Sequence, residues 1–366
     1  MSRSFLLPTL LIFLAVPAIA QDREPATGFE DLVEVTEVLL DVLATDRSGE
    51  TVAGLEKDDF VVEENGEPVE VTGLSFYTTR YGPEGERLAE VEGTVPSSRY
   101  FIFFFDDQSR NGSPDDRLLR ELRNAVRESR RWVEDEMLPS DWVAVASFDY
   151  KLKLHQDFTQ DRYALVEAIE RVVQRRDPEK GLGRGGRRLP PHGAPSLLRH
   201  LPQGKELRDR TTRTYDAVRL VAEAAGHIVA RKNLMLFSPG FGDFRPNFGI
   251  ALGDPRYYPQ MEEALNDHNV AVYAIDLTPA GTVHGQAQFL SQLASGTGGI
   301  YYENIVSFLT PLRRISEENS GYYLLSYQSE HPAAEAGFQK VTVRARDSAV
   351  KIRARKGYRY GVQEEG

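Results

Sequence analysis

The stretch Arg99-Tyr100-Phe101-Ile102-Phe103-Phe104-Phe105-Asp106-Asp107-Gln108-Ser109-Arg110-Asn111 decides the fold. An apolar run without polar alternation ends abruptly in two carboxylates, an amide and a hydroxyl. Such a run suits a strand covered on both faces, as in parallel α/β sheets, and those sheets hold their sites beyond the carboxyl ends of their strands. The segment therefore predicts a buried strand that delivers oxygen atoms to a loop.

Downstream, helical and strand patterns alternate. A helix is expected from about Pro114 to Met137, with Leu118, Leu122, Val126 and Val133 at helical spacing and proline and acids in its first turn. Strand Trp142 to Phe148 and helices Arg162 to Val173 and Tyr215 to Ala230 follow. Strand Asn233 to Phe237, helix Gln260 to His268, strand Val270 to Leu277, helix Gln286 to Ala294, a short strand near Ile300 and helix Ile305 to Glu318 complete the series. This order predicts an α/β fold with a doubly wound, mostly parallel sheet over residues 99–318.

On both sides the pattern turns to β. In residues 31–80, Val38, Leu40, Val42 and Ala44 alternate on one strand face, and Asn65-Gly66 separates two further runs as a tight hairpin turn. Strands are expected again at Tyr322 to Gln328, Phe338 to Arg346 and Val350 to Arg355, within residues 320–360. The N- and C-terminal β segments are expected to form one β-sandwich. Tyr81 to Ser98, with its glycines and prolines, reads as a linker. Arg175 to Arg210, rich in Arg, Gly and Pro, reads as a flexible insertion, with a basic docking arm as the alternative. Its glycines lack the Lys-Ser or Lys-Thr of a phosphate-binding loop.

Arg3, the apolar run Phe5 to Val16 and Ala18-Ile19-Ala20 have the three sections of a secretory signal peptide, residues 1–20. The expected location is periplasmic or extracellular, with no membrane span after cleavage. The 366 residues include no cysteine, so disulfides are excluded and a packed core must hold the fold. A formal net charge of -11 argues against a nucleic-acid partner.

Several stretches carry a likeness to a known family: the opening strand with its acidic loop, Asp141 to Phe148, Gln156 to Asp161, Thr212 to Ala217, Asn233 to Gly240, Ser320 to Tyr327 and the closing Arg355 to Tyr358. In order and spacing these resemble the von Willebrand factor A (vWA) domain proteins, specifically the VWFA-related family described from acidobacteria. The resemblance implies a vWA-like, Rossmann-like fold and a metal-ion-dependent adhesion site. There a magnesium-type ion is held by DxSxS after the first strand, a threonine in a second loop and an aspartate after the central strand. An open coordination position takes a carboxylate from a protein partner.

The first loop aligns in two ways. From Asp107 it supplies Asp107, Ser109 and Asn111; from Asp106, the end to which the apolar run points, it supplies Gln108 and Arg110, a poorer oxygen set. The chemistry favours the first. Thr212 fits the second loop as the first residue of TxxYDA, with Thr214 as a substitute. Pro239 stands where the family has its aspartate, and Asp243 in the following loop is the nearby replacement. The expected metal set is therefore Asp107, Ser109 and Thr212 with Asp243 in addition, a degenerate site. The expectation is no bound cofactor, with Mg2+ or another divalent cation as the alternative. Without a metal, Asp106 and Asp107 would cap the following helix, and Thr212 the helix near Tyr215.

These readings converge on an exported protein-binding module using Asp106, Asp107, Ser109, Asn111 and Thr212, rather than an enzyme. One alternative is a metal-free structural component of the envelope. Another is a hydrolase with Ser238 as nucleophile and His268 or His284 as base. Against the hydrolase, Leu236 replaces the first glycine of GxSxG and no histidine pair forms HExxH.

Overall fold

The computed structural model describes residues 33–78, 94–96, 98–108, 116–174, 191, 193–332 and 336–361. The expected signal peptide, the loop residues Ser109 and Asn111, most of the expected linker and the 175–190 part of the insertion lie outside the described residues. Among the described residues, no helix is long and apolar enough to cross a membrane.

The N-terminal strands are β1 (Val33–Thr45), β2 (Phe60–Glu64), β3 (Glu67–Val69), β4 (Val71–Thr78) and β5 (Thr94–Pro96). Asn65 and Gly66, at φ 51° and 91°, make the tight turn between β2 and β3. The middle of the chain runs β6 (Tyr100–Asp106), α1 (Asp116–Asp135), β7 (Trp142–Phe148), β8 (Leu152–Thr159), α2 (Arg162–Val173), α3 (Gly204–Arg210), α4 (Thr214–Ala225) and β9 (Lys232–Ser238). It continues with β10 (Asp243–Arg245), β11 (Ile250–Leu252), α5 (Tyr258–Asp267), β12 (Val270–Asp276), α6 (Ala287–Gly296), β13 (Tyr301–Tyr302) and α7 (Leu309–Glu318). The C-terminal strands are β14 (Gly321–Pro332), β15 (Gly337–Ala345), β16 (Lys351–Arg353) and β17 (Gly357–Tyr360).

The central sheet has the order β13-β12-β9-β6-β7-β8, and only its edge strand β8 is antiparallel to its neighbour. Its two faces feed two separate cores. Phe101, Phe103 and Phe105 join Trp132 of α1, Ile169 of α2 and Leu312 of α7. Ile102 and Phe104 join Val218 of α4, Met261 of α5 and Phe289 of α6. Every residue of β6 from Phe101 to Asp106 is therefore buried, which explains a run with no polar alternation. Phe105 stacks on Phe237 of β9, ring centroids 4.7 Å apart. Such a pair adds roughly 0.5–1.5 kcal/mol beyond the burial of its area.

Two mainly antiparallel sheets flank this core. One has the order β16-β1-β14-β4-β5 and the other β17-β15-β2-β3, so each mixes strands from both ends of the chain. Val38, Leu40 and Val42 of β1 pack in one cluster with Phe60 and Val62 of β2, Tyr323 and Leu325 of β14 and Val341 of β15. The Glu64 carboxylate sits between the sheets and accepts bonds from the Tyr327 and Tyr358 hydroxyls at 2.6 and 2.9 Å and from Ser329 at 2.6 Å.

Contacts between the β segments and the central sheet gather at the amino ends of the central strands. Asn269, just before β12, donates to Asp41 of β1. Arg355 donates to the carbonyls of Asn266 and Leu39, both at 2.9 Å. The carboxyl ends of the central strands lie at the opposite edge.

Two expectations are corrected, and one strand joins those expected. Leu152–Thr159, a stretch for which the sequence pattern names no element, is a strand; its polar residues are held by neighbours, Lys153 to Asp149 at 2.6 Å and His155 to Ser147 at 2.8 Å. The expected linker contains β5, which pairs parallel with β4. The described part of the insertion is packed rather than loose: Leu197, Leu201 and Leu207 enter the core, and the Asp157 carboxylate accepts bonds from the Ser196 hydroxyl and the Leu197 N–H.

Candidate functional site

The first strand, β6, lies between β7 and β9, and the chain crosses from one side of it to the other. The crevice beyond the carboxyl ends of β6 and β9 is thus a topological switch point, where α/β sheets bind their ligands. Asp106 closes β6 and Ser238 closes β9. Both continue the strand face that packs on α4 to α6, so they meet one another and the first residue of α4, Thr214.

Asp106 is fully buried. Its Oδ2 accepts the Ser238 hydroxyl at 2.6 Å and the Gln108 amide at 2.7 Å, and its Oδ1 accepts the Thr214 hydroxyl at 3.4 Å. Burial pushes its carboxyl up to about 7, against the pull of these three bonds, and the neighbouring Asp107 charge adds to the rise. The Gln108 amide also donates to the Gly240 carbonyl at 3.0 Å, tying the β6 and β9 loops together. Gly240 holds φ 96°, and a Cβ there would lie 2.4 Å from Cβ of Gln286, so the turn requires glycine. Gln286 in turn clasps Gly242 through both of its main-chain polar groups, at 2.8 and 3.1 Å.

Above this cluster opens a cavity of about 390 Å³. Its walls include Asp107, Gln108, Asp149, Tyr150, Thr212 and Phe241; Asp106 is not on its surface. Phe241 packs edge-on against Tyr215 and Phe289 at 4.9 and 4.8 Å. Burial pushes the Tyr215 phenol up to about 12, and its oxygen accepts the Asp254 N–H at 3.1 Å. Tyr150 stands on the rim, 56% exposed, with φ 135°, a conformation that costs a non-glycine residue on the order of 1–3 kcal/mol. Beyond β9, the β10–β11 hairpin exposes Phe244 and Phe248.

The structure thus places the expected site residues as follows. Asp106 is the hub, and Asp107 lines the cavity while its N–H donates to the Phe148 carbonyl at 2.8 Å. The hydroxyl that reaches Asp106 belongs to Thr214, not Thr212. Thr212 is exposed and donates to Asp216 at 3.4 Å, and the residue preceding α4, Arg213, makes no side-chain cap. Asp243 is exposed at the start of β10 and pairs with Arg245 at 3.2 Å. Gln108, Thr214, Ser238 and Gly240 complete the cluster. Residue parity would have pointed to it: Ile102, Phe104 and Asp106 share one strand face.

The described donors around Asp106 do not fit a divalent cation held in the implied way; Ser109 and Asn111 of that loop lie outside the described residues. A magnesium-type ion needs about six oxygens near 2.0–2.1 Å. Here each oxygen of the Asp106 carboxylate already accepts from a hydroxyl or an amide. The Gly240 carbonyl oxygen can only accept, so the N–H2 end of the Gln108 amide faces it rather than the amide oxygen. Among the described residues, no group of three or more His, Asp and Glu side chains could hold a metal.

Of the residues in the hydrolase alternative, Ser238 is fully buried with its proton directed at Asp106. His284 bonds Asp276 through Nε2 at 2.7 Å, and the same carboxylate accepts the Tyr301 hydroxyl at 2.7 Å.

No protein-family model matches the sequence, and no curated protein does. Solved structures of similar topology include BatB from Bacteroides thetaiotaomicron, 15% identical, covering 61% of this chain and 99% of that one at a TM-score of 0.37. A von Willebrand factor type A protein from Catenulispora acidiphila is 10% identical, covering 89% and 72% at 0.36. The von Willebrand factor domain of the type V pili tip protein Mfa5 from Porphyromonas gingivalis is 14% identical, covering 44% and 46% at 0.25. Scores this low carry no function across. The class that the coordinates define is a mixed α/β protein with a mostly parallel six-stranded sheet and flanking antiparallel sheets.

Proposed function

We propose that this chain is an exported protein-recognition module, vWA-like in its central part, which meets a protein partner through the loop face around the 390 Å³ cavity. Its N- and C-terminal strands form a β-sandwich support at the other end of the central sheet. The observation that carries this reading is the rim. Tyr150 is held exposed at a strained backbone angle beside a polar cavity, with Phe244 and Phe248 exposed on the hairpin that follows β9. Strain of this kind persists where surrounding structure enforces it, and such positions cluster at binding sites. Aromatic side chains around a recessed polar centre are the usual anchors of a protein interface. Among the described residues, the β segments contact the amino ends of the central strands and not this face.

The residues that would touch the partner are Tyr150, Asp107, Gln108, Thr212, Phe241 and Phe248, and no catalytic step is assigned to them. The net charge of -11 supports a protein rather than a nucleic acid as partner. The signal-peptide pattern of residues 1–20 supports export. The test is photo-crosslinking in the native cell with a reactive residue in place of Thr212, alone and combined with Tyr150→Ser and Phe248→Ser. A discrete protein adduct lost in the combined variant is the expected result. An adduct that persists unchanged when both aromatics are removed would overturn the assignment of this face. Mature protein that begins at Met1 would overturn export by signal cleavage.

A further inference from the structure

We propose that the Gln108 side chain is a built-in substitute for a cation. Its carboxamide nitrogen, shared between the Asp106 carboxylate and the Gly240 carbonyl, joins the β6 and β9 loops as a bridging ion would and makes the site independent of divalent cations. Three observations meet here. The nitrogen lies 2.7 Å from Asp106 Oδ2 and 3.0 Å from the Gly240 oxygen, so its two hydrogens are both used on acceptors. Gly240 is locked by its positive φ and by the Gln286 side chain against it, so its carbonyl is aimed by the fold and not by the glutamine. Gln108 lines the cavity and Asp106 does not, so the amide stands between the buried carboxylate and anything entering from solvent.

An ion reaching Asp106 would have to displace this amide and break both bonds. Among the described residues it would gain the Asp106 carboxylate and the Ser238 and Thr214 hydroxyls, with Asp107 on the cavity wall and Pro239 after β9 where the family has its aspartate. Hard cations are held by charge and ligand number together. The amide satisfies the same two oxygens without either. The inference concerns the chemistry of the site and stands whether or not the loop face meets a protein, because the metal alone is the probe.

The experiment uses the full chain and titrates MnCl2 and MgCl2 into wild type, Gln108→Ser, Gln108→Glu and the double variant Asp106→Asn/Gln108→Glu. Binding heat and Tm are followed with and without chelator. Wild type is expected to show no binding heat and the same Tm in both conditions. Gln108→Glu keeps the length of the side chain but sets two carboxylates within hydrogen-bond distance, an arrangement that needs a proton or a cation between them. Its Tm is expected to be low in chelator and to rise by roughly 5 °C at a Mn2+ concentration about a hundred times its Kd. The gain should vanish in the double variant. Should Gln108→Glu fold only with metal present, that result supports the proposal, and Gln108→Ser supplies the binding isotherm in a variant without the added charge. Saturable Mn2+ or Mg2+ binding by wild type that Asp106→Asn abolishes would overturn the proposal. So would folded Gln108→Ser and Gln108→Glu variants that are both indifferent to the metals.

Discussion

Asp106→Asn tests the electrostatics of the switch-point crevice through the pH dependence of stability. In the unfolded chain this carboxyl ionises near its ordinary 3.8, and in the folded protein burial lifts it to about 7. The folded state therefore holds the proton more tightly. Stability falls as pH climbs from about 4 to about 7 and is flat above that range, the sign required when the native state binds more protons. A rise of this size corresponds to about 4 kcal/mol, at about 1.4 kcal/mol for each pH unit. The new carboxamide fits the same partners: its oxygen can accept from Ser238 and Gln108, and its nitrogen can donate to the Thr214 hydroxyl. The substitution thus mimics the protonated acid without emptying the site. Urea unfolding of both proteins at pH 5 and pH 8 isolates the group, because every other titration is common to the pair. Wild type should lose stability relative to Asp106→Asn between these values by about 2.6 kcal/mol, roughly three-fifths of the whole term. Parallel profiles would refute the account and mean that Asp106 is ionised at little cost, through water or an ion.

Two further predictions concern the frame. Arg99→Ala leaves Asp141 buried without the guanidinium that holds both its oxygens at 2.7 Å, and should cost about 3–5 kcal/mol in urea unfolding. In the background of Asp141→Asn the same change should cost markedly less. Glu64→Ala strands the hydroxyls of Tyr327, Ser329 and Tyr358 between the flanking sheets, with an expected loss of about 2–4 kcal/mol and no change in the crevice.

Much of this architecture is legible along the chain because burial on two faces leaves a compositional trace. The run Tyr100 to Phe105 has no polar interruption since two helix layers cover it, and β9 and β12 read the same way. Asn65-Gly66 announces its turn through the φ values that it alone tolerates. Where polar residues are buried by partners distant in sequence, the trace fails. Lys153 and His155 make β8 look like a loop, yet Asp149 and Ser147 satisfy them inside the fold. The site shows the same limit. Spacing points to Thr212, but α4 begins at Thr214, and the helix start decides which hydroxyl faces Asp106. The role of Gln108 depends on the Gly240 carbonyl, 132 residues away, which no local pattern contains.

The pairing of β1 with β14 has a consequence for how the protein is made. Val33 to Val42 find their partners in Pro332 to Tyr323, so the earliest strand of the nascent chain waits for one of the last. Closing a flexible loop of roughly 290 residues costs about 5 kcal/mol in chain entropy by length alone. The buried bond from Arg99 to the Ser316 carbonyl at 2.6 Å shortens that path, since it sets the entrance and exit of the α/β segment side by side. Once that segment has folded, the two β ends emerge as neighbours and their pairing becomes a local event. The α/β segment is then the template on which the flanking sheets assemble, and a chain truncated at either end loses strands from both sheets at once.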